Sequence, residues 1–183
     1  VNIGWLKDLI IQSNRRLKTS SDTGLLCRYI IDNMQKGVMD TIRNCMENVE
    51  GAFSVVGLTS KGELFAFRDP LGMRPLCYGQ SQGGGIKAVS SETVGLNINA
   101  LDVVDEVQPG EALIMRQDGV ERERLVKDGR SAFCSFEFAY FARPDSVING
   151  KHVYKIREQF GRNLGRRYRD IVEHCDLIIS IPE

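Results

Sequence analysis

Ala52-Phe53-Ser54-Val55-Val56-Gly57-Leu58, then Ser60-Lys61-Gly62, then Glu63-Leu64-Phe65-Ala66-Phe67 is the stretch on which the fold turns. Two short apolar runs joined by a polar, glycine-bearing turn predict a β-hairpin. Strand signals continue beyond it. Asp69-Pro70-Leu71-Gly72 is turn chemistry, and Pro75-Leu76-Cys77-Tyr78-Gly79 predicts the next strand. Gln80 to Gly85 forms a polar tip, and Ile86-Lys87-Ala88-Val89-Ser90 returns from it. The glycines at 83–85 sit in that tip and open no helix, which argues against a phosphate cradle. Val107-Gln108-Pro109-Gly110-Glu111 turns into Ala112-Leu113-Ile114-Met115-Arg116, and Gln117-Asp118-Gly119 turns again into Val120-Glu121-Arg122-Glu123-Arg124-Leu125.

Helical spacing flanks this strand-rich middle. Leu6, Leu9 and Ile10 predict a short helix over 3–12. Ile30, Met34, Val38, Ile42, Cys45 and Val49 fall on one face of a long amphipathic helix, or of two collinear ones broken at Gly37, and Gly51 ends it. Residues 94–100 predict a helical turn. Val153, Ile156, Phe160, Leu164, Ile171 and Val172 predict a further helix, with Asp176-Leu177-Ile178-Ile179-Ser180-Ile181 as a buried parallel strand after it. Phe133, Phe136, Phe138, Tyr140 and Phe141 form a dense aromatic run, expected in a core or a domain interface. The class is α+β, with a boundary expected near Pro144–Gly150.

Composition narrows the function. The 183 residues carry 24 Lys and Arg against 24 Asp and Glu, a formal net charge of zero. Modules held by phosphate contacts are usually strongly basic, so no nucleic-acid partner is expected. No run approaches the 18 or so apolar residues of a membrane helix, so no membrane partner is expected. Cys27, Cys45, Cys77, Cys134 and Cys175 are odd in number and include no C-x-x-C pair. Reduced thiols in the cytoplasm are the expectation. Val1 in place of a Met, and an apolar run cut short at Glu183, predict a piece of a longer protein.

Several residues could carry chemistry. Asp22, within Thr19-Ser20-Ser21-Asp22-Thr23, can accept hydrogen bonds from a ligand ammonium group, or can cap a helix. Arg68 and Arg74 flank the Asp69-Pro70 turn. Either can grip a carboxylate bidentately, or the arginines and Asp69 can form an internal ion pair that locks the turn. Cys134 can be a nucleophile, a metal ligand or an inert thiol, and neither His152 nor His174 lies near it in sequence. Tyr140, Arg143 and Asp145 place aromatic, cationic and anionic groups at the expected boundary.

Taken in order, these strings resemble one family. Thr19–Thr23, Gly51-Ala52-Phe53-Ser54-Val55-Val56, Phe67-Arg68-Asp69-Pro70-Leu71-Gly72-Met73-Arg74-Pro75-Leu76, Ser90-Ser91-Glu92, Pro109-Gly110-Glu111, Phe136-Glu137-Phe138-Ala139-Tyr140-Phe141-Ala142-Arg143-Pro144-Asp145-Ser146 and the closing Ile181-Pro182-Glu183 resemble the glutamine phosphoribosylpyrophosphate amidotransferases. The resemblance runs from Asn2 to Glu183. It implies an incomplete N-terminal-nucleophile hydrolase αββα sandwich over 1–145. It also implies the first helix and strand of an α/β phosphoribosyltransferase domain over 146–183. In that family a terminal cysteine releases ammonia from glutamine. The ammonia passes to phosphoribosyl pyrophosphate and gives phosphoribosylamine, the committed step of purine synthesis.

By the same resemblance, Asp22 and Ser21 bind glutamine, Asp22 taking its α-ammonium. Arg68, Asp69 and Arg74 are a structural signature near the site. Tyr140, Arg143 and Asp145 help couple the two domains. Cys134 matches one ligand of a [4Fe–4S] cluster that some members carry, and Mg²⁺ belongs to the transferase half. The parent is expected to be a cytosolic homo-oligomer acting on glutamine and phosphoribosyl pyrophosphate. None of the 183 residues matches the family's cysteine nucleophile, its carboxylate-gripping arginine or its Asn-Gly oxyanion hole. Gly24 stands where the family usually has an acidic residue. The alternatives are a truncated, non-catalytic glutamine-binding or regulatory protein, and a glutaminase serving a sugar phosphate.

Overall fold

The computed structural model describes residues 1–12, 21–127 and 130–179. Thr19, Ser20 and Ile181-Pro182-Glu183, all quoted above, lie outside the described residues. The chain divides into two compact units, Val1–Cys134 and Ser135–Glu183.

In the first unit, α1 (Ile3–Gln12), α2 (Asp22–Asn33) and α3 (Val38–Asn48) precede the strands. The predicted break between α2 and α3 is present. A 3₁₀ turn over Met34–Lys36 ends at Gly37, whose φ is +98°. The strands are β1 (Ser54–Leu58), β2 (Leu64–Arg68), β3 (Cys77–Gln80), β4 (Lys87–Ser90), β5 (Asp102–Glu106), β6 (Glu111–Met115) and β7 (Val120–Arg124), with α4 (Thr93–Asn97) between β4 and β5. They form two antiparallel sheets, ordered β1-β2-β6-β7 and β4-β3-β5.

Period-two alternation sorts the side chains into layers. On β2 and β6, Phe65, Phe67, Ala112 and Ile114 pack against Leu6 and Ile10 of α1, Leu25 and Tyr29 of α2, and Ile42 and Cys45 of α3. The opposite face of the same strands offers Ala66, Leu113 and Met115 to Leu76 and Tyr78 of the second sheet. Beyond that sheet, Cys77 packs on Leu96 of α4 and on Leu101. The order is therefore helices, sheet, sheet, helix. Both faces of β2, β3 and β6 are covered, which is why these strands read as continuous apolar runs. Burial drives the Cys45 thiol up to about 12, so it is an inert core group.

The second unit holds a π-helical turn over Glu137–Phe141, a hairpin of β8 (Val147–Ile148) and β9 (Lys151–His152), then α5 (Val153–Arg167) and α6 (Arg169–Val172). Asn149 and Gly150 turn the hairpin with φ of +49° and +68°, as a two-residue I′ turn requires. Of the aromatic run, Phe136, Tyr140 and Phe141 are 61%, 58% and 50% exposed, so these rings join no core. The buried positions of this unit go instead to Glu137, Ala142, Ser146, Ile148 and Val153. The wide turn, closed by the Ala142 amide on the Glu137 carbonyl at 3.0 Å, leaves the rings outside. Leu177 to Ile179, expected in a strand, are exposed and extend no sheet among the described residues. A strand exists only through its neighbours' hydrogen bonds.

Candidate functional site

The Asp69-Pro70 turn is built by two buried charges that serve the backbone rather than each other. Arg68, 3% exposed, ends β2. Its Nε donates to the Arg74 carbonyl at 2.7 Å, one Nη to Gly72 at 2.8 Å and the other to Val107 at 2.9 Å. Asp69 is fully buried and accepts the amides of Leu71 at 2.9 Å, Met73 at 3.1 Å and Phe53 at 3.4 Å. Burial pushes the Asp69 carboxyl up, and the amides of Met73, Leu71, Phe53 and Gly72 pull it back. Burial likewise lowers Arg68, against the nearby Glu106 and Asp69 carboxylates. The internal Arg–Asp ion pair considered from sequence is therefore not how the turn is held. Arg74 contributes its carbonyl, which also accepts the Ser54 hydroxyl at 3.2 Å, and its residue is exposed.

Asp22 is the first residue of α2 and is exposed. The helix cap is its neighbour: Ser21 Oγ accepts the Gly24 amide at 3.2 Å. Among the described residues, Asp22 Oδ1 accepts only the Thr23 amide, at 2.8 Å. The carboxylate thus stands at the positive end of a helix and keeps lone pairs for a cation. No hydrogen bond or ion pair of Asp22 reaches the 68–74 turn.

Cys134 lies along that turn, its amide donating to the Met73 carbonyl at 3.1 Å, while the Ala132 amide donates to Leu71 at 2.9 Å. Among the described residues, no group of three or more His, Cys, Asp or Glu side chains could hold a metal ion. Arg143 grips Asp145 bidentately at 3.1 and 3.0 Å. That contact holds the Asp145 carboxyl below its usual range, outweighing the opposing effect of desolvation. The pair's stabilisation is thus present above the ordinary carboxylate value and fades as pH falls through the lowered one. Replacing Arg143 with Ala is expected to return the Asp145 titration, followed by carboxyl-carbon NMR, to the ordinary range.

Two features escaped sequence reasoning. Arg122 joins the sheets, reaching Glu111 at 2.9 Å and Asp105 at 3.1 Å. Arg157 of α5 donates to three carbonyls of the 138–142 stretch. Nothing in a local pattern distinguishes either arginine from a solvated surface charge. A cavity of about 360 Å³ opens between the Lys36–Asp40 turn, Thr59–Lys61 and Arg116. None of the candidate site residues read from sequence lines it. Its three cations, Lys36, Lys61 and Arg116, balance Asp40, Glu63 and Glu121.

The comparisons with known proteins agree with this architecture. The glutamine amidotransferase domain family matches residues 1–97. An amidophosphoribosyltransferase of Archaeoglobus fulgidus is 30% identical over 187 residues, covering 100% of this chain and 39% of the relative. That of Bacillus subtilis is 31% identical over 183 residues, covering 100% and 37%. The solved glutamine phosphoribosylpyrophosphate amidotransferase of B. subtilis, complexed with ADP and GMP, superposes with a TM-score of 0.83 at 33% identity, over 90% of this chain and 36% of its own. A second structure, described as the allosteric regulatory enzyme of purine biosynthesis, gives 0.84 at 33% identity over 91% and 35%. The chain spans less than two fifths of these relatives' length. The helix–sheet–sheet–helix layering is therefore the N-terminal-nucleophile hydrolase sandwich that the sequence motifs imply. With a family match over more than half of its residues and that fold built from its own core, the chain belongs to the glutamine amidotransferase domain family.

Proposed function

We propose that this chain is part of an amidophosphoribosyltransferase, which hydrolyses glutamine and transfers the ammonia to phosphoribosyl pyrophosphate. The carrying observation is that similarity to these enzymes extends over the whole chain, past the first unit and through Ser135–Glu183. Residues 1–145 form the glutaminase part and 146–183 open the phosphoribosyltransferase part. The 183 residues alone are silent in glutamine hydrolysis, since none matches the family's nucleophile.

Asp22 receives the α-ammonium of glutamine. Its exposure, its single local partner and its place at the start of α2 support that role. Ser21, by capping α2, fixes the carboxylate's backbone rather than the ligand directly. Arg68 and Asp69 shape the wall of the turn, and Tyr140, Arg143 and Asp145 take part in signalling between the halves. Mg²⁺ acts with the transferase half, and the parent is a cytoplasmic homo-oligomer. The five free cysteines fit a reducing compartment.

The test is Asp22→Ala in the full-length protein. Truncating a charge-assisted bond costs roughly 1.5–3 kcal/mol, so the glutamine KM is expected to rise about ten- to a hundredfold. Phosphoribosylamine formation from added ammonia, which bypasses glutamine, should hold. An equal fall in both would make Asp22 structural. A wild-type protein that forms no phosphoribosylamine from either nitrogen source would refute the assignment.

A further inference from the structure

We infer that Arg157 is the positioning residue that sets the 138–146 segment, and through it the coupling between the two half-reactions. Every second carbonyl from Phe138 to Ser146 is taken by the first turns of α5. Arg157 Nε donates to Phe138 at 2.8 Å, and one Nη donates to Tyr140 at 3.1 Å and to Ala142 at 2.6 Å. The Tyr154 amide donates to Pro144 at 2.9 Å and the Val153 amide to Ser146 at 3.0 Å. Those two amides are among the donors a helix start cannot satisfy internally. The guanidinium, a rigid fork of N–H groups, reaches what the amides cannot.

The segment so held is the π-helical turn, a rare conformation that clusters at functional places, followed by the Arg143–Asp145 pair. A shift of α5 therefore carries Tyr140, Arg143 and Asp145 with it as one block. Without Arg157, three of the five ties are gone, and α5 can move while the turn stays behind. A lysine at this position keeps the charge but cannot span three carbonyls. The inference rests on the proposed function, because coupling exists only in an enzyme with both halves.

The experiment uses the full-length protein with Arg157→Lys and Arg157→Gln. Three rates are measured: glutamine hydrolysis alone, glutamine hydrolysis with phosphoribosyl pyrophosphate, and phosphoribosylamine formation from ammonia. Stimulation of hydrolysis by phosphoribosyl pyrophosphate is expected to fall on the order of tenfold in Arg157→Gln, and by less in Arg157→Lys. The unstimulated and ammonia-dependent rates should stay at wild-type values. Should Arg157→Gln not fold, Arg157→Lys decides, together with faster hydrogen exchange at the Ala142 amide. Wild-type stimulation in a folded variant, or a parallel fall of all three rates, overturns the inference alone. A wild-type protein that forms phosphoribosylamine without any such stimulation also overturns the inference alone, and one that forms none from either nitrogen source overturns the functional reading and this inference with it.

Discussion

Arg68→Met is expected to lower the unfolding free energy by about 3–5 kcal/mol, measured by urea denaturation. The side chain it replaces is 3% exposed and spends its donors on the carbonyls of Gly72, Arg74 and Val107. Methionine fills much of the same volume, so little of the loss is a cavity. What remains is a set of acceptors that have lost the guanidinium, the Arg74 carbonyl keeping only the Ser54 hydroxyl, and each buried acceptor left unmet costs roughly 1–3 kcal/mol. These carbonyls come from two places, the turn after β2 and the Val107 crossing before β6. Their loss unties the sheets at one end. Arg68→Lys retains the charge on a single point and should recover only part of the loss. A cost below about 1 kcal/mol for Arg68→Met would mean that water reaches these carbonyls, and that Asp69 alone shapes the turn.

The same turn shows how far residues can be read in order. Its location after a strand, its Pro70-Leu71-Gly72 geometry and its family signature were all legible from the string. The division of labour was not, because a neighbouring Arg and Asp look like an ion pair in one dimension. In three dimensions each faces backbone groups of opposite polarity. β2 and β6 were legible because their apolar runs meet two cores at once. β5 was missed for the converse reason. Asp102, Asp105 and Glu106 are three acids in five residues, and the strand exists by pairing with β3 at an exposed sheet edge. Local propensity is a weak guide at such an edge.

In the second unit, Asn149-Gly150 was a hairpin signal left unused, and the structure places a turn there. The aromatic run marked an important segment but said nothing about which way its rings point. Burial depends on the turn type, and a π-turn has no simple sequence period. Asp22 was legible as a helix-start carboxylate. That Ser21, and not Asp22, does the capping follows only from geometry, and it is what leaves Asp22 available to a ligand.

Gly110→Ala is expected to destabilise the first unit by about 3–5 kcal/mol, whereas Gly119→Ala, a few residues away, should change stability by less than about 1 kcal/mol. Gly110 has φ of +71°, a conformation that costs an L-residue roughly 1–2 kcal/mol. A Cβ there would also collide with the Val126 carbonyl oxygen and lie 3.1 Å from its carbon. That oxygen belongs to backbone, so no side-chain rotation relieves the clash. Gly110 is also a junction: its amide donates to Asp69 at 3.0 Å, and its carbonyl accepts Leu125 at 2.8 Å. Pushing Val126 away therefore strains the end of the β6–β7 ladder and the Asp69 turn together. Gly119 sits in the opposite turn of the same hairpin with nothing within 4 Å of its added Cβ. There the substitution mainly restricts the unfolded chain, which favours folding. Thermal denaturation of the two variants side by side separates these effects. Equal losses at both positions would show that the Val126 contact yields easily and that Gly110 is not a fixed point of the fold.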